Sequence, residues 1–252
     1  MQLTRRISIR IFLIVLLNAF TVGYGLVKFA QAVIDCNSSS LRLNLAKDGN
    51  DPIEWRTSIS CPLNVCIDST MGVQGQGVEE ALNEWNKAWK TACSGNGQTC
   101  PDGIFKKVTN CGPSGNRILI KKVNSLSGGD EFGQALRSPS TGKWIDFVEI
   151  QILYTVVDPA HGGSHEKTVR AVEHELGHAL GLGDETQLTQ PYDRMDAFGA
   201  GTSNVSPAWD SECSPQPNPE RGISNRDGAW MTCTPTFKRM CQQPYTSCVE
   251  DF

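Results

Sequence analysis

The sequence predicts an α+β fold, a twisted sheet packed by two long helices, and three stretches carry that expectation. Val78, Ala81, Leu82, Trp85, Ala88, Trp89 and Ala92 recur at helical spacing, with Glu79, Glu80, Glu84, Lys87 and Lys90 on the other faces. Val169, Val172, Leu176, Ala179 and Leu180 form the apolar face of a second helix over residues 164–180. Between the two, Val148, Ile150, Ile152 and Tyr154 alternate with Glu149, Gln151 and Leu153, the period of a half-buried strand.

Taken in order, residues 33–52 are polar and expected to be flexible. Residues 53–68 have strand character, with Ile53, Trp55, Ile59, Val65 and Ile67 among polar neighbours. Gly72, Gly75 and Gly77 mark a turn, and the first helix follows over 78–93. Glycine, proline and cysteine make 94–116 a stapled loop. Residues 117–123 (RILIKKV) read as a strand, 125–142 as loop and 144–154 as a second strand. After a turn at 158–163, Ser164 is placed to cap the second helix, and Glu166 suits its positive end. Proline, serine and asparagine make 211–222 a linker, with a short helix expected near 224–231.

The first 32 residues read as an export signal. Arg5, Arg6 and Arg10 precede an apolar run from Ile11 to Val27, and Ala30-Gln31-Ala32 has the pattern of a cleavage site. The run is broken by Asn18, Thr21 and glycines and is short for a span of ~20 residues, so no stable membrane insertion is expected once it is removed. The expected organisation is a signal peptide over 1–32, a main folded domain over 33–210 and a cysteine-rich subdomain or tail over 211–252.

Loss of Arg5, Arg6, Arg10 and Lys28 would leave 19 of the 23 basic residues against 27 acidic ones, a balance that argues against nucleic acid as a partner. All ten cysteines follow the cleavage site, which predicts disulfides in an oxidising compartment. Cys61/Cys66 and Cys93/Cys100 are close enough in sequence for local bridges, and no CxxC pair points to a cysteine zinc site.

The chemistry concentrates in His174-Glu175-Leu176-Gly177-His178-Ala179-Leu180-Gly181-Leu182-Gly183-Asp184. Helix positions four apart lie on one face, so His174 and His178 can address one cation. Neutral imidazole is a good Zn2+ ligand. Glu175 can flank the metal without ligating it and take a proton from water there. A catalytic zinc generally has three protein ligands and one open position. Gly181 can end the helix as a C′ glycine and let the chain double back with Asp184 as third ligand. Glu185 is the nearest rival, with Asp193 and Asp196 further away. His161 and His165, before the helix, are better read as surface or capping residues than as a second metal site.

This segment resembles the extended zinc signature HExxHxxGxxH/D of the metzincin metallopeptidases, and its closing Asp is similar to the snapalysin type. The ALNEWNKAW helix and RILIKKV strand look more like matrixin catalytic domains, so the resemblance covers about residues 53–200. It implies a mixed sheet over an active-site helix that floors a cleft. It also implies a methionine turn at Met195, within Tyr192-Asp193-Arg194-Met195-Asp196-Ala197, and a cleft edge at residues 144–154 that pairs with an extended substrate. The long tail matches no part of the family pattern, and no cysteine-switch propeptide is recognisable. Cys36 could in principle mask the metal, but the even count favours its pairing in a disulfide.

The expected function is that of a secreted zinc-dependent endopeptidase acting on protein or peptide substrates, with Glu175 as general base and one catalytic Zn2+. Two other readings use the same residues. One is an extracellular zinc-binding or interaction module without peptidase activity; the other is a hydrolase of non-peptide amides.

Overall fold

Short runs of β-branched and aliphatic residues build the sheet. In the computed structural model, residues 36, 44–59, 61–95, 103–109, 111, 117–127, 132–184, 223 and 230–242 are described, all within the unit Ile34–Phe252. The fold is mixed α/β around a five-stranded mixed sheet. Its strands are β4 (Leu63–Ile67), β5 (Phe105–Val108), β6 (Ile118–Val123), β7 (Gly133–Ser138) and β9 (Phe147–Leu153), in the spatial order β5-β4-β6-β9-β7. The first four in that order run parallel, and β7 runs antiparallel to β9. Register places Ile118 beside Val148 and Ile120 beside Ile150. Together with Val65 and Ile152 these residues are buried on one face of the sheet. The other face is half-exposed and carries the Lys121–Glu149 ion pair at 2.9 Å.

Two long helices cover the buried face. Helix α1 (Gly75–Gly95) buries Val78, Ala81, Leu82, Trp85 and Trp89, the stripe its periodicity predicts. A short helix α2 (Tyr154–Val157) follows β9, and α3 (His165–Ala179) then packs against α1, β9 and β7. The Trp85 indole N–H donates to the Glu173 carbonyl at 2.8 Å, which ties the two long helices together at a fully buried point. No helix among the described residues is long and apolar enough to cross a membrane.

Several sequence expectations are corrected by long-range pairing. Residues 44–52 are not a free arm. They form the two-residue strands β1 (Lys47–Asp48) and β2 (Asp51–Pro52), paired antiparallel, and Leu45 bridges Leu182. The single strand expected over 53–68 is broken into β3 (Glu54–Trp55) and β4 by a turn. β3 pairs instead with β8 (Trp144–Ile145) in a separate two-stranded sheet. The loop expected over 94–116 contains β5, and that expected over 125–142 contains β7. Residues 144–154 are not the sheet edge, because β9 is bonded to β6 on one side and β7 on the other. β7 is the edge.

Residues 230–242 share this core. Trp230, Met231, Phe237 and Met240 are buried with Trp55 and Trp89, and the Phe237 ring meets Trp89 edge-on at 4.7 Å. Helix α4 (Pro235–Gln242) opens with a cap: the Thr234 hydroxyl accepts from the Phe237 N–H at 3.1 Å, and Pro235 takes the first helical position. Arg239 donates to the carbonyls of Trp55 at 3.0 Å and Ile59 at 3.2 Å, acceptors on the last residue of β3 and after the turn that follows it.

Among the described residues two disulfides reinforce these contacts. Cys36–Cys233 joins residues 197 apart and Cys66–Cys111 residues 45 apart. Closures of those lengths stabilise a fold by about 4–5 kcal/mol each in the chain-entropy account. The local Cys61/Cys66 bridge is therefore not made, and Cys36 is held in a disulfide rather than at the histidines. The Cys93/Cys100 pair lies outside the described side chains.

Candidate metal centre

Helix α3 positions the site, and its sequence explains both its start and its end. Ser164 caps it, the hydroxyl accepting from the Lys167 N–H at 3.1 Å, with Glu166 in the first turn. At the far end Leu180 is the C-cap and Gly181 takes φ 93°, the left-handed region that favours glycine. The Gly181 N–H bonds to the His178 carbonyl at 2.9 Å and the Leu182 N–H to the Gly177 carbonyl at 3.0 Å. That pair of bonds is a Schellman motif. A Cβ at Gly181 would lie 2.9 Å from the Ile53 carbonyl oxygen, so space as well as φ demands glycine there. The buried Trp55 indole donates to the Ala179 carbonyl at 2.8 Å, satisfying another of the helix's last acceptors.

The reversed chain brings Asp184 back over the helix. His174 Nε2 and His178 Nε2 are 3.0 Å apart, and Asp184 Oδ1 lies 3.2 Å from the first and 3.3 Å from the second. Three donor atoms on one point form a group that could hold a metal ion, and no other such group occurs among the described residues. Two imidazole nitrogens and one carboxylate oxygen suit a divalent first-row metal ion.

The electrostatics favour positive charge at that point. Burial pushes the His178 pKa down, but the hydrogen bond to Asp184 and the charges of Glu175 and Asp184 outweigh it, and it rises from 6.5 to about 9. The His174 and His178 rings hold the Asp184 carboxyl well below the usual carboxylate range, against the opposing effect of burial. His178 Nδ1 lies 2.9 Å from the Leu182 carbonyl, which can only accept. Nδ1–H therefore donates outward and leaves Nε2 to face the convergence point.

Glu175 is buried and lines the same cleft as His174, His178 and Asp184. The cleft has a volume of about 440 Å³ and is lined by residues of α3 and β7 together with Ala46 and Lys47. Four residues singled out in the sequence, His174, Glu175, His178 and Asp184, are thus brought together. Met195, Glu185, Asp193 and Asp196 lie outside the described residues. His161 and His165 are elsewhere, His161 paired with Asp158 at 3.0 Å and His165 with Glu80 at 2.8 Å.

Sequence reasoning did not single out Gly133, the first residue of β7. A Cβ there would lie 2.8 Å from Glu175 Oε1, 3.0 Å from its Cγ and 3.1 Å from Ile152 Cδ1. Glycine is what gives the Glu175 carboxylate room. For a catalytic base in that place, Gly133→Ala would displace the carboxylate and lower turnover by roughly 10–100-fold, since a misplacement of about 1 Å is worth that much. Metal content should not change, and kinetics beside metal analysis check both parts.

No family model matches the chain, and no curated protein matches it by sequence.

Proposed function

We propose that the protein is a secreted zinc-dependent endopeptidase of the metzincin kind, in which His174, His178 and Asp184 hold the metal and Glu175 is the general base. The observation that carries this reading is the convergence of the three donors beside a buried carboxylate, in a cleft bordered by a sheet edge. Zinc bound there would supply Lewis acidity, acidifying water and polarising a scissile carbonyl.

This chain's residues do the rest. Glu175 accepts the proton of the attacking water and returns it to the departing amine. Its carboxylate approaches from the Gly133 side and is not one of the converging donors. The Leu182 carbonyl fixes the His178 ring through Nδ1. Among the described residues β7 is bonded on one side only, and the main-chain groups of its other edge can pair with an extended peptide. A polypeptide laid there passes over Glu175 at the Gly133 end of the strand.

Chelation tests the reading. The purified protein should cleave an unfolded polypeptide, lose that activity in a strong zinc chelator, and regain it when zinc is returned. Cleavage that persists after complete metal removal would exclude the mechanism.

A further inference from the structure

Two of the three donors ride on a rigid helix, but Asp184 does not. It follows the Schellman turn on a loop, and a loop donor needs something to hold it. The structure places one segment against it. Asn44 Nδ2 donates to the Asp184 main-chain carbonyl at 2.6 Å, and the Asn44 main-chain carbonyl accepts from the Gly183 N–H at 3.0 Å. Leu45 bridges Leu182, and the Ala46 N–H donates to the Gly181 carbonyl at 3.0 Å. Residues 44–46 thus run antiparallel to the whole stretch from the glycine that ends α3 to the third donor.

Gly183 shows how closely the Asn44 side chain fits. A Cβ at 183 would lie 2.9 Å from Asn44 Nδ2 and 3.1 Å from Asn44 Cγ. The missing side chain at 183 is the space the Asn44 amide fills. The segment is itself fixed beyond this contact, for the Ile53 N–H donates to the Ala46 carbonyl at 2.9 Å and β1 follows at once. Upstream, Cys36 is bonded to Cys233 beside the core residues Trp230 and Met231.

We infer that Asn44 is a positioning residue of the metal centre: by gripping residues 183 and 184 it holds the Asp184 carboxylate at the point where His174 and His178 converge. The inference rests on the reading that these three side chains bind a metal. It gives the polar segment before β1 a part in the site, although it contributes no ligand and no catalytic group.

The test uses Asn44→Ala, the near-isosteric Asn44→Asp, which removes the amide donor, and Gly183→Ala, which presses on the amide from the other side. Zinc dissociation constants are measured by competition with a chromophoric chelator, and the visible spectrum of the Co2+-loaded protein reports coordination geometry. Each variant should stay folded by circular dichroism. Each should bind zinc roughly 10–100-fold more weakly, the cost of losing an outer-shell partner, and show an altered Co2+ band. Wild-type affinity and an unchanged spectrum in all three variants would overturn the inference while leaving the metal site standing. Variants that lose zinc only because they unfold would also overturn it, making Asn44 a stability residue. If the wild-type protein binds neither metal, the reading of the site itself fails.

Discussion

Glu175→Gln is expected to keep its zinc and lose most of its turnover. Glutamine has the shape of glutamate, so it fits the space that Gly133 leaves and does not disturb the converging donors. It cannot accept a proton. Loss of general-base catalysis is worth roughly 100–10,000-fold in rate, a rise of about 3–5 kcal/mol in the barrier. The loss should fall on kcat, with KM little changed, because Glu175 acts on the reacting water rather than on the bound chain. Steady-state kinetics on a peptide substrate, with zinc content measured on the same sample, checks both halves. A zinc-loaded variant that cleaved at the wild-type rate would remove Glu175 from the mechanism.

The second large effect is expected at His178. Its Nε2 faces the other two donors while its Nδ1 is committed to the Leu182 carbonyl, so one ring supplies a donor and braces the turn that carries Asp184. His178→Ala removes the donor and frees the brace. Zinc affinity should fall by more than the roughly 10–100-fold that an outer-shell loss costs, and activity should fall with it at ordinary zinc concentrations. His161→Ala is the control, since His161 is an exposed residue paired with Asp158 on the turn before α3. It should bind zinc as the wild type does. Equal zinc affinity in His178→Ala and wild type, by titration, would contradict the ligand role.

Features whose cause is local were legible in the sequence. The apolar stripe of α1 and the Ser164 cap of α3 follow from side chains a few residues apart, and both are where the pattern puts them. The same holds for the His174 and His178 pair and for Gly181, whose positive φ the spacing to Asp184 anticipates. The strands were harder. β7 begins with glycine, and its inner face, Gly133, Ala135 and Arg137, carries little apolar weight. β5 has four residues, two of them exposed lysines. Its only fully apolar signal is Phe105 at one end and Val108 at the other.

What depends on distant partners left no local mark. Residues 44–46 are ordered by main-chain bonds to 181–183, and main-chain bonding has no composition. Disulfide pairing is fixed by which loops the fold brings together, so Cys66 meets Cys111 rather than its sequence neighbour Cys61. Helix α4 is an intermediate case. The Thr234-Pro235 pair is a start signal that could have been read, but the apolar face it precedes, Phe237 and Met240, is only two residues wide.

X-ray absorption at the zinc edge, on protein loaded with one equivalent of zinc, bears most directly on the proposed catalytic centre. The account predicts a shell of nitrogen and oxygen only, with two imidazoles, one carboxylate oxygen and a further exchangeable oxygen from solvent. Both imidazole signals should be lost in a His174→Ala, His178→Ala double variant. Sulfur in the shell, or four protein ligands with no exchangeable position, would contradict it and turn the site into a structural one.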